Sequence, residues 1–161
     1  MSENLKTVAT DIKEFSDFIV NNCYYVDKTQ YIKTIMKDGS ATMLFTRPRR
    51  FGKSITLSML KSFLEINYED PSDKSKQIEL FKDTEIFKDK EFCDEYMGQY
   101  PVIFLSLKDA WSKESSEIAI NKFFDELGKV AEEFQFLLVS DKLDANLKKS
   151  LQEKEVILYL E

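Results

Sequence analysis

There is no histidine in this sequence of 161 residues, and that absence excludes more chemistry than any residue present. Without imidazole there is no Ser-His-Asp or Cys-His nucleophile system, and no histidine to ligate a metal. Cysteine is nearly as scarce. Cys23 and Cys93 are the only two, too few for a structural zinc site. A disulfide between them stays open as an alternative, but a reduced, buried pair is the expectation for a cytoplasmic chain. Long hydrophobic runs are missing too: nothing approaches the roughly 20 apolar residues that span a bilayer. The N-terminus, "MSENLKTVATDIKEF", lacks the basic-then-apolar layout of a signal peptide. With no internal repeat and no low-complexity linker, the expectation is a single cytoplasmic domain over residues 1–161, long enough to bury a proper core.

Positive charge is the minority. Against 29 acidic residues stand 23 basic ones, a net charge of −6, so a global attraction to nucleic acid or an anionic membrane is not expected. The local distribution differs. Arg47, Arg49, Arg50 and Lys53 place four cations within seven residues. On an acidic background such a cluster calls for a local anion or a solvated surface.

Periodicity places this cluster. A first helix is expected from about Asp11 to Val20, with Ile12, Phe15 and Ile19 on one face. After the extended Tyr24, Tyr25 and Val26, Asp27 and Gln30 have the spacing of a capping box for a second helix, which Gly39 would end. "ATMLFT", Ala41 to Thr46, fits a buried strand, and Leu57, Leu60, Phe63 and Leu64 recur at helical spacing behind the basic segment. Glu69 to Gln77 is the most polar stretch and reads as a surface connection. Leu80, Phe81, Ile86 and Phe87 look like core anchors. "PVIFLSL", Pro101 to Leu107, fits a second buried strand, and a long helix is expected from Ser115 to Val139. Alternating helices and apolar strands predict an α/β fold: a partial three-layer sandwich with a short, mostly parallel sheet, behind a helical extension over roughly residues 1–40.

Between the expected strand and helix lies "LFTRPRRFGKSITLSML", residues 44–60. It ends as a phosphate-binding loop ends. Such a loop turns successive backbone N–H groups toward phosphates and aims a helix N-terminus at them. Gly52 would supply the close backbone approach, Lys53 the counter-charge, and Ser54 a hydroxyl for Mg2+. Arg47 stands where the loop's first glycine is usual, and Pro48 removes one N–H donor. The competing interpretation is an exposed basic turn. Arg49 and Arg50 are then either solubilising charges or further phosphate contacts, and Phe51 is more readily a packing residue than a base-stacking one. The expected nucleotide contacts are Arg47, Pro48, Arg49, Arg50, Phe51, Gly52, Lys53 and Ser54.

Phosphoryl transfer also needs a carboxylate at the end of another strand, to hold magnesium and orient water. Candidates are Asp109 after "PVIFLSLK" and Glu161 after "EVILYL"; Asp141, after "FLLVS", sits at an expected helix end. None shows a paired Asp-Glu, and ordinary solvated carboxylates are the favoured interpretation. Asp109 is the first candidate for a catalytic role beside Lys53, and hydrolysis by this chain unaided is not expected.

Three blocks resemble the AAA-ATPase-like proteins of bacteria and archaea: "YYVDKT" (Tyr24 to Thr29), the basic loop itself, and "YPVIFLSLKD" (Tyr100 to Asp109). "ELFKDTEIF" (Glu79 to Phe87) is similar to a weaker linking block of that family. The resemblance covers roughly residues 11–145. It implies a P-loop ATPase-type domain, often followed by a restriction-endonuclease-like nuclease domain. It also implies that Arg-Pro-Arg-Arg-Phe-Gly-Lys-Ser is a normal form of this Walker A loop. Gly52, Lys53 and Ser54 carry over as nucleotide-binding positions, with ATP (or GTP) and Mg2+ as the implied ligands. The family continues to an apolar strand ending in Asp-Glu-Tyr-Asp, which resembles a Walker B strand. That stretch is absent here, so the sequence resembles the N-terminal portion of the architecture, a truncated domain.

Three functions follow as expectations. The first is a nucleotide-binding module without an evident Walker B carboxylate pair. The second is an interaction module whose basic loop meets nucleic acid or an acidic partner. The third is a remnant that folds poorly.

Overall fold

A computed structural model describes residues 6–8, 12–40, 42–106, 115–134, 136, 145 and 149. The backbone divides into two units, Met1–Val102 and Ile103–Glu161. Among the described residues of the first unit lie five α-helices: α1 (Phe15–Val20), α2 (Gln30–Lys37), α3 (Lys53–Leu64), α4 (Ser75–Phe81) and α5 (Lys90–Tyr96), with one 3-10 turn at Ile86–Lys88. The second unit contributes α6 (Ser116–Glu133). No described helix is long and apolar enough to cross a membrane.

The parallel sheet expected from the sequence is not seen. Among the described residues there is no strand, and extended pairing is limited to two isolated parallel bridges, Thr7 with Cys23 and Glu65 with Tyr100. The three-layer α/β sandwich is therefore replaced by a helical assembly. The reason lies in the hydrogen-bond ladder. An apolar run becomes a strand only when a neighbour takes up its N–H and C=O groups. Tyr100 has one such partner: its N–H donates to Leu64 O at 2.9 Å, and its carbonyl accepts from Ile66 N at 2.8 Å. The next rung fails, because Val102 N–H donates instead to the Tyr68 hydroxyl at 3.3 Å. The other expected strand, residues 42–46, is irregular and open to solvent, with Leu44 86% exposed where burial was expected.

What organises the first unit is an aromatic core between helices. Phe15, Ile32, Met59, Phe63, Phe81 and Ile86 are fully buried. The Phe15 ring stacks on Phe81 with centroids 4.9 Å apart, Phe63 meets Phe81 edge-on at 5.1 Å, and Tyr25 meets Phe15 edge-on at 5.3 Å. Each such pair adds about 0.5–1.5 kcal/mol beyond area burial. Leu80, Phe81 and Ile86 are core anchors as expected, and Phe87 packs against the same cluster.

Local boundaries depart from the expectations where tertiary contacts intervene. Helix α1 starts at Phe15, later than expected, because its cap comes from elsewhere. Phe15 N–H donates to the Ser58 hydroxyl at 2.9 Å, and that hydroxyl donates to Glu14 Oε2 at 2.6 Å. Asp27 does not cap α2. One of its oxygens accepts from Thr29 N at 2.8 Å, and the other accepts from Glu85 N at 2.7 Å, well away in sequence. Asp38 is the C-cap residue of α2, so Gly39 does not end it in a left-handed turn. Helix α4 begins inside the segment expected to be a polar connection, and its Gln77 is buried, donating to Glu65 O at 2.7 Å. In α3 the buried residues are Ser58, Met59 and Phe63, while Leu57 is 46% exposed.

Asp89 accepts from Phe92 N at 3.2 Å, capping α5, and pairs with Lys33 of α2. The Lys33 hydrogen bond, and then the Phe92 N–H, hold its carboxyl below the usual range. In the second unit Ser115 starts the helix as expected, accepting from Ile118 N at 3.2 Å. The helix ends at Glu133, with Phe134 as its C-cap residue, short of the expected end at Val139, which itself lies outside the described residues.

Candidate functional site

The basic loop is built from two left-handed residues, Arg50 (φ 66°) and Gly52 (φ 76°), on either side of Phe51. Glycine adopts that conformation freely, whereas arginine is strained there. The two reversals bring the chain into the first turn of α3, with Gly52 as the N-cap residue. The Gly52 carbonyl accepts from both the backbone N–H and the hydroxyl of Thr56, each at 2.9 Å. Lys53 is the first residue of α3.

The Lys53 side chain folds back over the loop. Its ammonium donates to the Arg47 carbonyl at 2.6 Å and to the Pro48 carbonyl at 2.9 Å. The charge therefore ties the first turn of α3 back to the start of the loop. Arg47 is itself anchored: its guanidinium donates to the Tyr31 hydroxyl at 2.9 Å and lies over the Tyr31 ring, 5.5 Å from its centroid. That contact ties the start of the loop to α2.

Beside the loop is a cavity of about 260 Å3. Lys28, Arg47 and Lys53 supply its cations, Thr56 a hydroxyl, and Tyr31, Met43, Phe45, Phe51 and Leu57 its apolar and aromatic wall. No carboxylate lines it among the described residues. Three like charges around a partly enclosed, largely apolar space repel one another, and an anion relieves that repulsion. Small-molecule sites run from about 300 to 1,000 Å3, so this one has room for part of a nucleotide rather than all of it.

Of the residues expected at the site, Arg47, Phe51 and Lys53 line the cavity. Gly52 shapes the turn, and Pro48 contributes its carbonyl to Lys53. Arg49 and Arg50 are exposed at the loop tip and do not line it. Ser54 is exposed in the first turn of α3, also off the lining. Asp109, Asp141 and Glu161 lie outside the described residues. Lys28, Tyr31, Met43, Phe45, Thr56 and Leu57 were not foreseen as site residues. Only Lys28 had a local signal, since it sits inside "YYVDKT".

The donor set suits phosphate oxygens. Magnesium is less well served: no group of three acidic, cysteine or histidine side chains is gathered among the described residues. A magnesium carried by a nucleotide would take most of its ligands from phosphates and water, and the Ser54 hydroxyl in the first turn of α3 would be the protein group to complete them. Both cysteines are buried free thiols, as expected. Burial pushes the Cys93 thiol up, and its Sγ donates to Ile86 O at 3.4 Å.

Comparison with known proteins returns one family. Its description is AAA-ATPase_like, "Predicted AAA-ATPase", and it matches residues 9–158. No curated protein and no solved structure matches the chain.

Proposed function

The chain belongs to the AAA-ATPase-like family, and we propose that it binds a nucleoside triphosphate, ATP first, at the loop of residues 47–54. One observation carries this reading. The Lys53 ammonium is held on the Arg47 and Pro48 carbonyls at the edge of a cavity that has three cations and no carboxylate among its described lining residues. A lysine so placed exchanges two neutral carbonyl acceptors for phosphate oxygens, whose negative charge adds direct attraction to the hydrogen bonds. The loop then acts as a variant Walker A motif, with Gly52 allowing close backbone approach and the Ser54 hydroxyl, exposed in the first turn of α3 and off the cavity lining, as the group that would serve a nucleotide-bound Mg2+.

Isothermal titration of Mg-ATP into the wild type and into Lys53→Ala tests this. Wild type should bind, and the variant should lose most of the affinity. Equal heats from both, or none from either, reject the proposal. Hydrolysis is a separate matter, for which Asp109 is the first carboxylate to substitute.

A second reading rests on the two arginines that the cavity does not use. Arg49 and Arg50 are exposed at the tip and have no side-chain partner among the described residues. They suit an anionic macromolecule. Salt-sensitive oligonucleotide binding that disappears when both become alanine would support it. No binding at low salt would remove it.

A further inference from the structure

The three residues Asp27, Lys28 and Thr29 are used in different ways. Asp27 spends both carboxylate oxygens on backbone N–H groups, of Thr29 and Glu85. Thr29 is fully buried, and its hydroxyl accepts from Ile86 N at 3.1 Å. Both flanking residues therefore act as anchors for this turn. The Lys28 backbone is held as well: its N–H donates to the Tyr25 hydroxyl at 3.3 Å, and its carbonyl accepts from Tyr31 N at 3.0 Å.

The Lys28 side chain has no such structural duty. It is half-buried, lines the cavity with Arg47 and Lys53, and has no ion pair among the described residues. Its ammonium lies 3.8 Å from where a Cβ on Gly52 would stand. A half-buried cation that lines a cavity with two others, its backbone fixed and no carboxylate among the described lining residues, is favoured by an anion that enters. That ammonium is the nearest group to the open side of Gly52, the glycine where close phosphate approach is expected.

We infer that Lys28 is a phosphate-binding residue of this cavity, a second lysine that reaches the polyphosphate from outside the loop. The inference rests on the nucleotide reading of the cavity. It adds a ligand contact from the segment before α2, so that polyphosphate bridges that segment and the N-terminus of α3. Lys53 holds the ligand from the first turn of α3, and Lys28 from the segment before α2.

The test is calorimetric titration of ATP, AMP and inorganic tripolyphosphate into wild type, Lys28→Gln, Lys28→Arg and Lys53→Ala, with thermal melting of each. Lys28→Gln keeps the aliphatic stem and should melt with the wild type. It should bind ATP and tripolyphosphate about ten- to hundred-fold more weakly, the range for losing a hydrogen bond to a charged group. AMP, which lacks the outer phosphates, should be nearly unaffected, and Lys28→Arg should recover most of the loss. If ATP binds wild type and Lys28→Gln alike while Lys53→Ala fails, Lys28 is not a phosphate residue and the loop assignment stands. If tripolyphosphate binds in a Lys28-dependent way but ATP does not, the nucleotide reading fails and Lys28 remains a phosphate residue. No binding of either ligand to wild type overturns both. Should Lys28→Gln melt lower, Lys28→Arg decides: loss of binding there as well, despite a normal melt, counts against a simple charge contact.

Discussion

The Thr29 hydroxyl accepts the backbone N–H of Ile86 at 3.1 Å, joining the residue before α2 to the start of the 3-10 turn across 57 positions of sequence. Both residues are fully buried. Thr29→Val keeps the side-chain shape and removes the acceptor, leaving a buried N–H without its partner. That should cost about 1–3 kcal/mol of unfolding free energy by urea titration, with Thr29→Ser recovering most of it. An unchanged urea midpoint in Thr29→Val would show that this bond contributes nothing.

Tyr25 stands one layer away. Its hydroxyl accepts from Lys28 N and donates to Met59 Sδ at 3.2 Å. Burial pushes its phenol from 10.0 up to about 12, with the Lys28 N–H opposing and the Asp27 charge adding. A pKa raised on folding means that the unfolded state ionises first as pH climbs. The contribution is therefore complete below the unfolded value near 10 and is lost as pH approaches 12. Between pH 8 and pH 11 the urea midpoint of the wild type should fall further than that of Tyr25→Phe. Parallel falls in the two proteins would refute this.

Gly52 and Gly39 offer a matched pair. A Cβ on Gly52 would have room, its nearest neighbour being the Lys28 ammonium at 3.8 Å, but φ of 76° is costly for any L-residue with a side chain. Gly52→Ala should destabilise by about 1–2 kcal/mol. Gly39 has no positive φ and open space around it, so Gly39→Ala should be neutral or stabilise by about 0.4–1 kcal/mol. Thermal melting of both variants decides, and equal effects would contradict the left-handed turn.

Within α4, Phe81 is fully buried against Phe15 and Phe63, whereas Ile78 is 46% exposed. Phe81→Ala should lose about 3–5 kcal/mol, because the cavity it leaves is walled by other rings. Ile78→Ala should cost less than about 1 kcal/mol. Comparable losses from the two would mean that this helix packs by another face.

The sequence alone settled what depends on neighbours along the chain. The lack of histidine excluded imidazole chemistry, and Gly-Lys-Ser marked the turn into a helix, because a left-handed residue and an N-terminal lysine are local requirements. The α3 helix, the start of α6 at Ser115 and the core role of Phe81 and Ile86 were legible for the same reason. What the sequence could not decide is what depends on partners far away. Whether residues 42–46 and 101–106 become strands is a matter of who accepts their hydrogen bonds, and Val102 N–H finds the Tyr68 hydroxyl rather than a neighbouring strand. Asp27 looks like a local cap until Glu85 is seen to share its carboxylate. Lys28 joins Lys53 only because Asp27 and Thr29 are tied to the 85–86 turn, a convergence in space that no spacing in the chain announces.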